Sequence, residues 1–261
     1  MKDAKSDNFT WASYLIDLRF DDTHLAFGTS FVIIRDTKSY LITNWHNVTG
    51  QNPETMEFLT GTICFPNNLN LYLVDKNRYS VGERTTNISW STLNIRLLDE
   101  EDNKLWIEHP VYKQGVDVVA IPIVVPDNLV AFSIDQFVEP HNEDTEVHIG
   151  QDIYVLGFPF NNTGGGFFPI WKRASIASEP VIDIGGVPKM FVDTASRSGM
   201  SGSPVILKER RAVSIFDDGK LSNNYTKLVG IYSGRIGAND ELQAQLGIVW
   251  KASVIDEIIN Q

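Results

Sequence analysis

Gly199-Met200-Ser201-Gly202-Ser203-Pro204, followed by the apolar run Val205-Ile206-Leu207, sets a serine in a glycine-flanked turn at the entrance to a strand. A serine hydroxyl is a poor nucleophile at neutral pH. A serine hydrolase therefore needs a base beside it and donors aimed at the oxyanion that attack creates. Gly199 can take backbone angles that a Cβ forbids, so its N–H and that of Ser201 can point at one spot, while Gly202 leaves room for a substrate. Alone, these residues also describe an ordinary Ser/Gly turn, and the decision rests on the rest of the chain.

Upstream, Thr43-Asn44-Trp45-His46-Asn47-Val48 closes a strand at Tyr40-Leu41-Ile42, which follows Gly28-Thr29-Ser30-Phe31-Val32-Ile33-Ile34. A histidine at the end of a buried strand can serve as general base to a serine from elsewhere in the fold. Gly115-Val116-Asp117-Val118-Val119-Ala120-Ile121 places a carboxylate at the start of another apolar strand, where it can accept from an imidazole and fix its tautomer. Asp102 competes for that role but closes the acidic run Asp99-Glu100-Glu101-Asp102, which reads as an exposed hairpin tip. All 5 histidines precede Ser201, so the Ser…Asp…His order of α/β-hydrolases is excluded for this serine. The subtilisin order is open to Asp17 or Asp36, but the alternating helices of such a fold are missing. His46, Asp117, Ser201 remains.

In these three segments the chain resembles the chymotrypsin-fold serine proteases: a Gly-Thr/Ser strand and hairpin before the histidine, an Asp-led apolar strand, and a Gly-x-Ser-Gly turn. The resemblance extends further. Asp152-Ile153-Tyr154-Val155-Leu156-Gly157-Phe158-Pro159 is similar to the strand opening the second barrel in disulfide-free bacterial members of the HtrA type, and Val229-Gly230-Ile231-Tyr232-Ser233-Gly234 to the strand that pairs with bound peptide. It implies an all-β fold of two six-stranded antiparallel Greek-key β-barrels, an active site in the cleft between them, and a short C-terminal helix. It implies an extension at 1–11, a first barrel over 12–130 carrying His46 and Asp117, and a second over 131–261 carrying Ser201. The domain is expected to lack the peptide-binding module of the HtrA type.

By the same likeness, the amides of Gly199 and Ser201 form the oxyanion hole and Ser233 supports Asp117. Residues 233–235 hold the substrate main chain as an added strand. Ala195 and Ser196 lie at the first specificity pocket, with Gly234 and Gly247 along its walls and Arg235 beside it. With no carboxylate at the base, trypsin-like preference for Lys or Arg is disfavoured. A small apolar residue, or an acidic one held by Arg197 and Arg235, is expected before the scissile bond. The secreted zymogens of the family carry Asp before the nucleophile and an Ile-Val-Gly-Gly start. Here Met200 stands in that place and no such start exists, so the domain is expected to be constitutively competent or switched by an activating protein partner. Trp45 beside the histidine and Ser203 after the nucleophile are further departures.

Composition fits this reading. The chain has 261 residues, 43% of them hydrophobic, enough for two small barrels. A single cysteine, Cys64, cannot form an internal disulfide, and the polar start Met1-Lys2-Asp3-Ala4-Lys5 is no signal sequence, so a cytoplasmic location is expected and the Asn-x-Ser/Thr matches are taken as chance. Cys64 itself reads as a buried structural thiol. No apolar run is long enough for a membrane span, and a net charge of −11 disfavours nucleic acid. No cofactor or metal is expected: Gly164-Gly165-Gly166 lacks a following Lys-Ser/Thr, and His141-Asn142-Glu143-Asp144-Thr145-Glu146-Val147-His148 lacks the spacing of zinc sites. The glycine run reads as a flexible surface loop.

Strands are predicted near 12–20, 27–35, 39–44, 70–75, 86–98, 104–112 and 117–123, then 152–158, 168–177, 188–194, 204–208, 226–233 and 246–250. A connector is expected over 124–146 and a helix over 251–259. The function these features support is a serine endopeptidase acting on protein or peptide substrates. The alternative is a peptide-binding or scaffold protein that keeps the fold without turnover.

Overall fold

The apolar runs at 31–33, 40–42 and 118–121 do not alternate with polar residues because their strands are buried on both faces. Phe31, Ile33, Ile42 and Ala120 face one way, toward Leu156, Ile206 and Ile231 from the second half of the chain, while Val32, Leu41, Val119 and Ile121 face the interior of the first half. The computed structural model of the protein describes residues 6–59, 65–77, 88–138, 146–195, 197–211, 223–235 and 246–261. Cys64, Ser196 and 141–145 lie outside them, as do residues 86 and 87 of one predicted strand.

The first half holds β1 (Ser13–Phe20), β2 (Thr23–Arg35), β3 (Lys38–Thr43), β4 (Asn68–Asp75), β5 (Trp90–Arg96), β6 (Ile107–Glu108), β7 (Val119–Ile123) and β8 (Leu129–Val130). They form an antiparallel sheet in the order β5-β4-β1-β2-β3-β7-β6, with β8 attached to β4. β6 and β8 have only 2 residues each, so the six longer strands carry this first barrel, whose sheet, unlike the second, is not hydrogen-bonded into a closed ring among the described residues. The second half holds β9 (Asp152–Gly157), β10 (Ile170–Ile176), β11 (Lys189–Asp193), β12 (Pro204–Arg211), β13 (Asn223–Arg235) and β14 (Leu246–Lys251). These close into a barrel in the order β10-β11-β14-β13-β12-β9, a Greek key because β14 returns beside β11 and β12 beside β9. The protein is thus an all-β, trypsin-like double barrel with two short helices, α1 (Trp45–Thr49) and α2 (Ser253–Ile259).

Three apolar clusters organise the packing. Leu69, Leu71, Leu73 and Leu97 fill the first barrel with Val32 and Leu41, and Ile153, Val155, Met190, Met200 and Leu207 fill the second. The third lies between the barrels, where α2 contributes Val254, Ile255 and Ile258. One predicted strand, 104–112, is reduced to β6. His109 is buried, its Nδ1 accepts the N–H groups of Val111 and Tyr112 (both 3.2 Å), and its carbonyl accepts from Lys113, which turns the chain instead of extending it. The connector is not wholly irregular, since it contains β8 and a 3-10 turn over Ile134–Phe137.

Candidate active site

β3 delivers the chain into α1, whose first-turn amides have no intrahelical acceptor. Asp117, from the segment entering β7, supplies one: the His46 N–H donates to Asp117 Oδ1 at 2.9 Å. The other carboxylate oxygen lies 2.7 Å from His46 Nδ1. An ionised carboxylate only accepts, so Nδ1 carries the proton and Nε2 is the basic nitrogen of the ring. The Asp117 side chain is 4% exposed and that of His46 13%. Asn44 Nδ2 donates to the Asp117 carbonyl at 2.6 Å, anchoring the backbone on the same side.

Ser233 Oγ donates to Asp117 Oδ2, the support expected of it. A β-bulge makes this contact. In the β13–β14 ladder Tyr232 pairs with Val249 and Gly234 with Ile248, leaving Ser233 as the extra residue, and such bulges re-aim a side chain. β12 pairs with β13 only as far as Ile231, so among the described residues the 233–235 stretch has a strand on one side only.

The turn that carries Ser201 is fastened through its carbonyls. Thr29 Oγ1 donates to the Gly199 carbonyl (2.8 Å), Ser203 Oγ and N–H donate to that of Met200 (2.6 and 3.1 Å), and the Thr29 N–H and Asn47 Nδ2 donate to that of Ser201 (2.9 and 3.1 Å). The N–H groups of Gly199 and Ser201 donate to no acceptor among the described residues. Because a trans peptide points its C=O and N–H in opposite directions, pinning the Met200 carbonyl fixes where the Ser201 N–H points. Gly199 (φ 88) and Gly202 (φ 86) both occupy the left-handed region, and a Cβ at Gly202 would lie 2.0 Å from the Thr29 carbonyl oxygen. Neither position admits another residue without strain.

The departures from the family pattern have local explanations. Trp45 is buried in the first-barrel core and its indole N–H donates to Glu108 Oε1 (3.0 Å). Burial disfavours the charged Glu108, but donation from Lys104, Trp45 and Trp106 outweighs it and holds the carboxyl below its ordinary pKa. Met200 is 1% exposed in the second-barrel core, occupying the place of the zymogen carboxylate with apolar surface.

At the expected pocket, Ala195 is partly exposed and Gly247 is buried with the Tyr232 ring against it, a Cβ there lying 2.6 Å from a ring carbon. Gly234 (φ 127) and the backbone of Arg235 continue β13, and the Arg235 side chain lies outside the described part. One residue escaped the sequence reading. Lys172, half-buried on β10, donates from Nζ to Thr194 Oγ1 at 3.1 Å, immediately before Ala195, and has no carboxylate partner among the described residues. Burial lowers its pKa, and the Arg197 charge adds to that. Its position in β10, in step with the inward-facing Ala174 and Ile176, was the available signal. Among the described residues no group of three or more His, Cys, Asp or Glu side chains is arranged to hold a metal ion.

Two antiparallel barrels with a buried His–Asp pair and a serine in a carbonyl-pinned, glycine-flanked turn define the double-barrel serine peptidase class. The sequence agrees: a family model for the trypsin-like peptidase domain matches residues 28–215, more than half of the chain. The chain belongs to this family of serine-protease hydrolases. No curated protein sequence matches it significantly. Among solved structures, the serine endoprotease of Yersinia pestis is similar with a TM-score of 0.51 and 14% identity over 96% of this chain, which spans 62% of that one. The inactive form of a serine-to-alanine mutant of Rv3671c from Mycobacterium tuberculosis H37Rv is similar at a TM-score of 0.46 and 16% identity, with coverage of 96% and 86% respectively.

Proposed function

We propose that the chain is a serine endopeptidase using His46, Asp117 and Ser201. In this reading His46 Nε2 takes the Ser201 hydroxyl proton and Ser201 Oγ attacks the peptide carbonyl. The amides of Gly199 and Ser201 receive the oxyanion, and water resolves the acyl-enzyme after His46 has protonated the leaving amine. Asp117 stabilises the imidazolium that forms and keeps the proton on Nδ1 until then. The observation that carries the proposal is the 2.7 Å contact of His46 Nδ1 with a buried carboxylate that also accepts from Ser233. The meeting of Asn47, next to His46, with the Ser201 carbonyl brings the two segments together.

The unpaired side of 233–235 suits an extended peptide added as a strand, which favours a protein or peptide substrate. Of the two preferences expected at the residue before the scissile bond, the acidic one gains support from Lys172. A half-buried ammonium and the Arg197 guanidinium flank the segment leading to Ala195. A peptide-library profile rich in apolar residues at that position would reject the acidic preference.

The mechanism is tested by labelling with a fluorophosphonate probe. Wild type is expected to label, with Ser201→Ala giving none and His46→Ala and Asp117→Asn far slower reaction while circular dichroism stays native. Equal labelling of Ser201→Ala would reject Ser201 as the nucleophile. An activating partner remains part of the proposal only if purified chain labels slowly and a binding protein accelerates it.

A further inference from the structure

Phe160 occupies the segment between β9 and β10, and its N–H donates to the Ser198 carbonyl at 2.7 Å. That carbonyl belongs to the same planar peptide as the Gly199 N–H and points the opposite way. Holding the one therefore sets the direction of the other. Phe160 and the next residue, Asn161, sit at φ 53 and φ 59, a conformation that non-glycine residues do not choose unaided. Phe160 is 64% exposed, so its side chain is not what keeps it there.

The remainder of the segment is anchored to the opposite barrel. Phe167 stacks on Tyr72 of β4, ring centroids 4.4 Å apart and planes within 7°, and meets the edge of Trp90 of β5 at 5.5 Å. Phe168 meets Trp90 at 5.2 Å and Trp11 at 4.8 Å, both edge-on. The Gly164 N–H donates to the Phe168 carbonyl (2.8 Å) and the Phe168 N–H to the Gly165 carbonyl (3.2 Å), so the two phenylalanines are carried by one closed turn. The glycine run itself lies exposed at the surface, while Phe167 and Phe168 beside it are packed. Phe167, Phe168, Tyr72 and Trp90 belong to none of the three core clusters. Their contacts bridge the barrels without filling either one.

We propose that this aromatic clasp positions the Gly199 amide as an oxyanion donor, with the Phe160 N–H as the link between clasp and donor. The inference rests on the serine-hydrolase reading of Ser201 and Gly199. Phe167 is a positioning residue: it touches no reacting atom, and it restrains the β9–β10 segment so that the Ser198–Gly199 peptide keeps one orientation. In a chain with Met200 where the family's zymogens have a carboxylate, the clasp supplies from the first barrel a restraint that would otherwise come from a bound chain terminus.

The test uses the full chain and a fluorophosphonate probe, with saturation kinetics separating the inactivation rate constant from the apparent affinity. Phe167→Ala, and independently Tyr72→Ala from the other barrel, are expected to lower the rate constant about ten- to a hundredfold. Apparent affinity and circular dichroism should not change, and Phe167→Tyr, which keeps the ring, should stay within about threefold of wild type. Combining Phe167→Ala with Tyr72→Ala should add little to either alone, because they break one contact. Both rings are half-buried, so the variants should fold; if one does not, the other decides. Folded variants that label at the wild-type rate, with wild type itself labelled, overturn the clasp and leave the hydrolase reading intact. A folded wild type that takes no label overturns both.

Discussion

A methyl group added at Gly157 is expected to cost about 1 kcal/mol less once Ser203 is alanine than in the native chain. A Cβ on Gly157 would lie 2.1 Å from Ser203 Oγ, but 3.1 Å from Thr29 Oγ1 and 3.4 Å from Ser203 Cβ. Only the first contact is impossible. To relieve it, the Ser203 hydroxyl must rotate and give up its 2.6 Å bond to the Met200 carbonyl in a fully buried site, about 1 kcal/mol. Residual crowding against Thr29 brings Gly157→Ala to roughly 2–3 kcal/mol. Ser203→Ala alone loses only the hydroxyl's bond, about 1 kcal/mol or less, since the Met200 carbonyl keeps the Ser203 N–H at 3.1 Å. The double variant loses the same single bond and keeps the same Thr29 crowding, so it should be about as stable as Gly157→Ala, a coupling of roughly 1 kcal/mol. Urea unfolding followed by tryptophan fluorescence, with unchanged m values, measures each corner of the cycle. Additivity within about 0.5 kcal/mol would refute the argument that Ser203 Oγ occupies the space over Gly157. A fluorophosphonate assay on the same proteins should find slower labelling in Ser203→Ala, because the Met200 carbonyl is then held by one donor instead of two and orients the Ser201 N–H less firmly.

Asp117 accepts from the His46 N–H, His46 Nδ1 and Ser233 Oγ, whereas an asparagine there has one accepting oxygen and must turn its NH2 toward a donor or force the other imidazole tautomer. Asp117→Asn is expected to lower single-turnover acylation about 10⁴-fold with the fold intact, and a loss under tenfold would argue against the assigned tautomer. Glu108 has its pKa held down in the folded state. Its stabilisation is therefore complete above the unfolded value of about 4.3 and is lost as pH falls through the folded value. Thermal unfolding between about pH 3 and 6 should be flatter for Glu108→Gln than for wild type, and parallel curves would count against the reading. Met200→Asp buries a carboxyl in apolar surroundings that raise its pKa, so the folded state binds more protons than the unfolded one and stability should fall as pH rises above about 4. Stability independent of pH in that variant would reveal a cation beside position 200.

The strands and the site's chain order were legible because their signals are local. Double-sided burial writes uninterrupted apolar runs into 31–33 and 118–121, and the glycines beside Ser201 are demanded by positive φ at 199 and 202. What could not be read depends on partners distant in sequence. The shortening of 104–112 to β6 follows from a histidine side chain that competes for the strand's amides. Three consecutive glycines are a fair sign of flexibility, and nothing near them announces that Phe167 and Phe168 meet rings from Tyr72, Trp90 and Trp11. Trp45 stands out beside His46 as a departure from the family pattern, and its partner Glu108, which takes the indole N–H, lies far along the chain. Lys172 passed unnoticed because a lysine within a strand is usually solvated at its tip, and only the packed barrel sets it against Thr194.

With Met200 apolar and buried, the restraints that hold the carbonyls of the Ser201 turn among the described residues are neutral hydrogen bonds. Their origins matter more than their number. Thr29 and Asn47 reach the Gly199 and Ser201 carbonyls from the first barrel, while Ser203 and the Phe160 amide act from the second. Neutral donors do not titrate near neutrality, so this part of the geometry is set by whether the two barrels are docked and not by pH. His46 and Asp117 come from the first barrel and the Ser201 turn from the second. The apolar cluster between the barrels, with the aromatic contacts at its side, therefore brings the His46–Asp117 pair and the amides of Gly199 and Ser201 together in one event. Neither half, folded alone, would hold Gly199 as the whole chain does, because the Thr29 hydroxyl on its carbonyl would be missing.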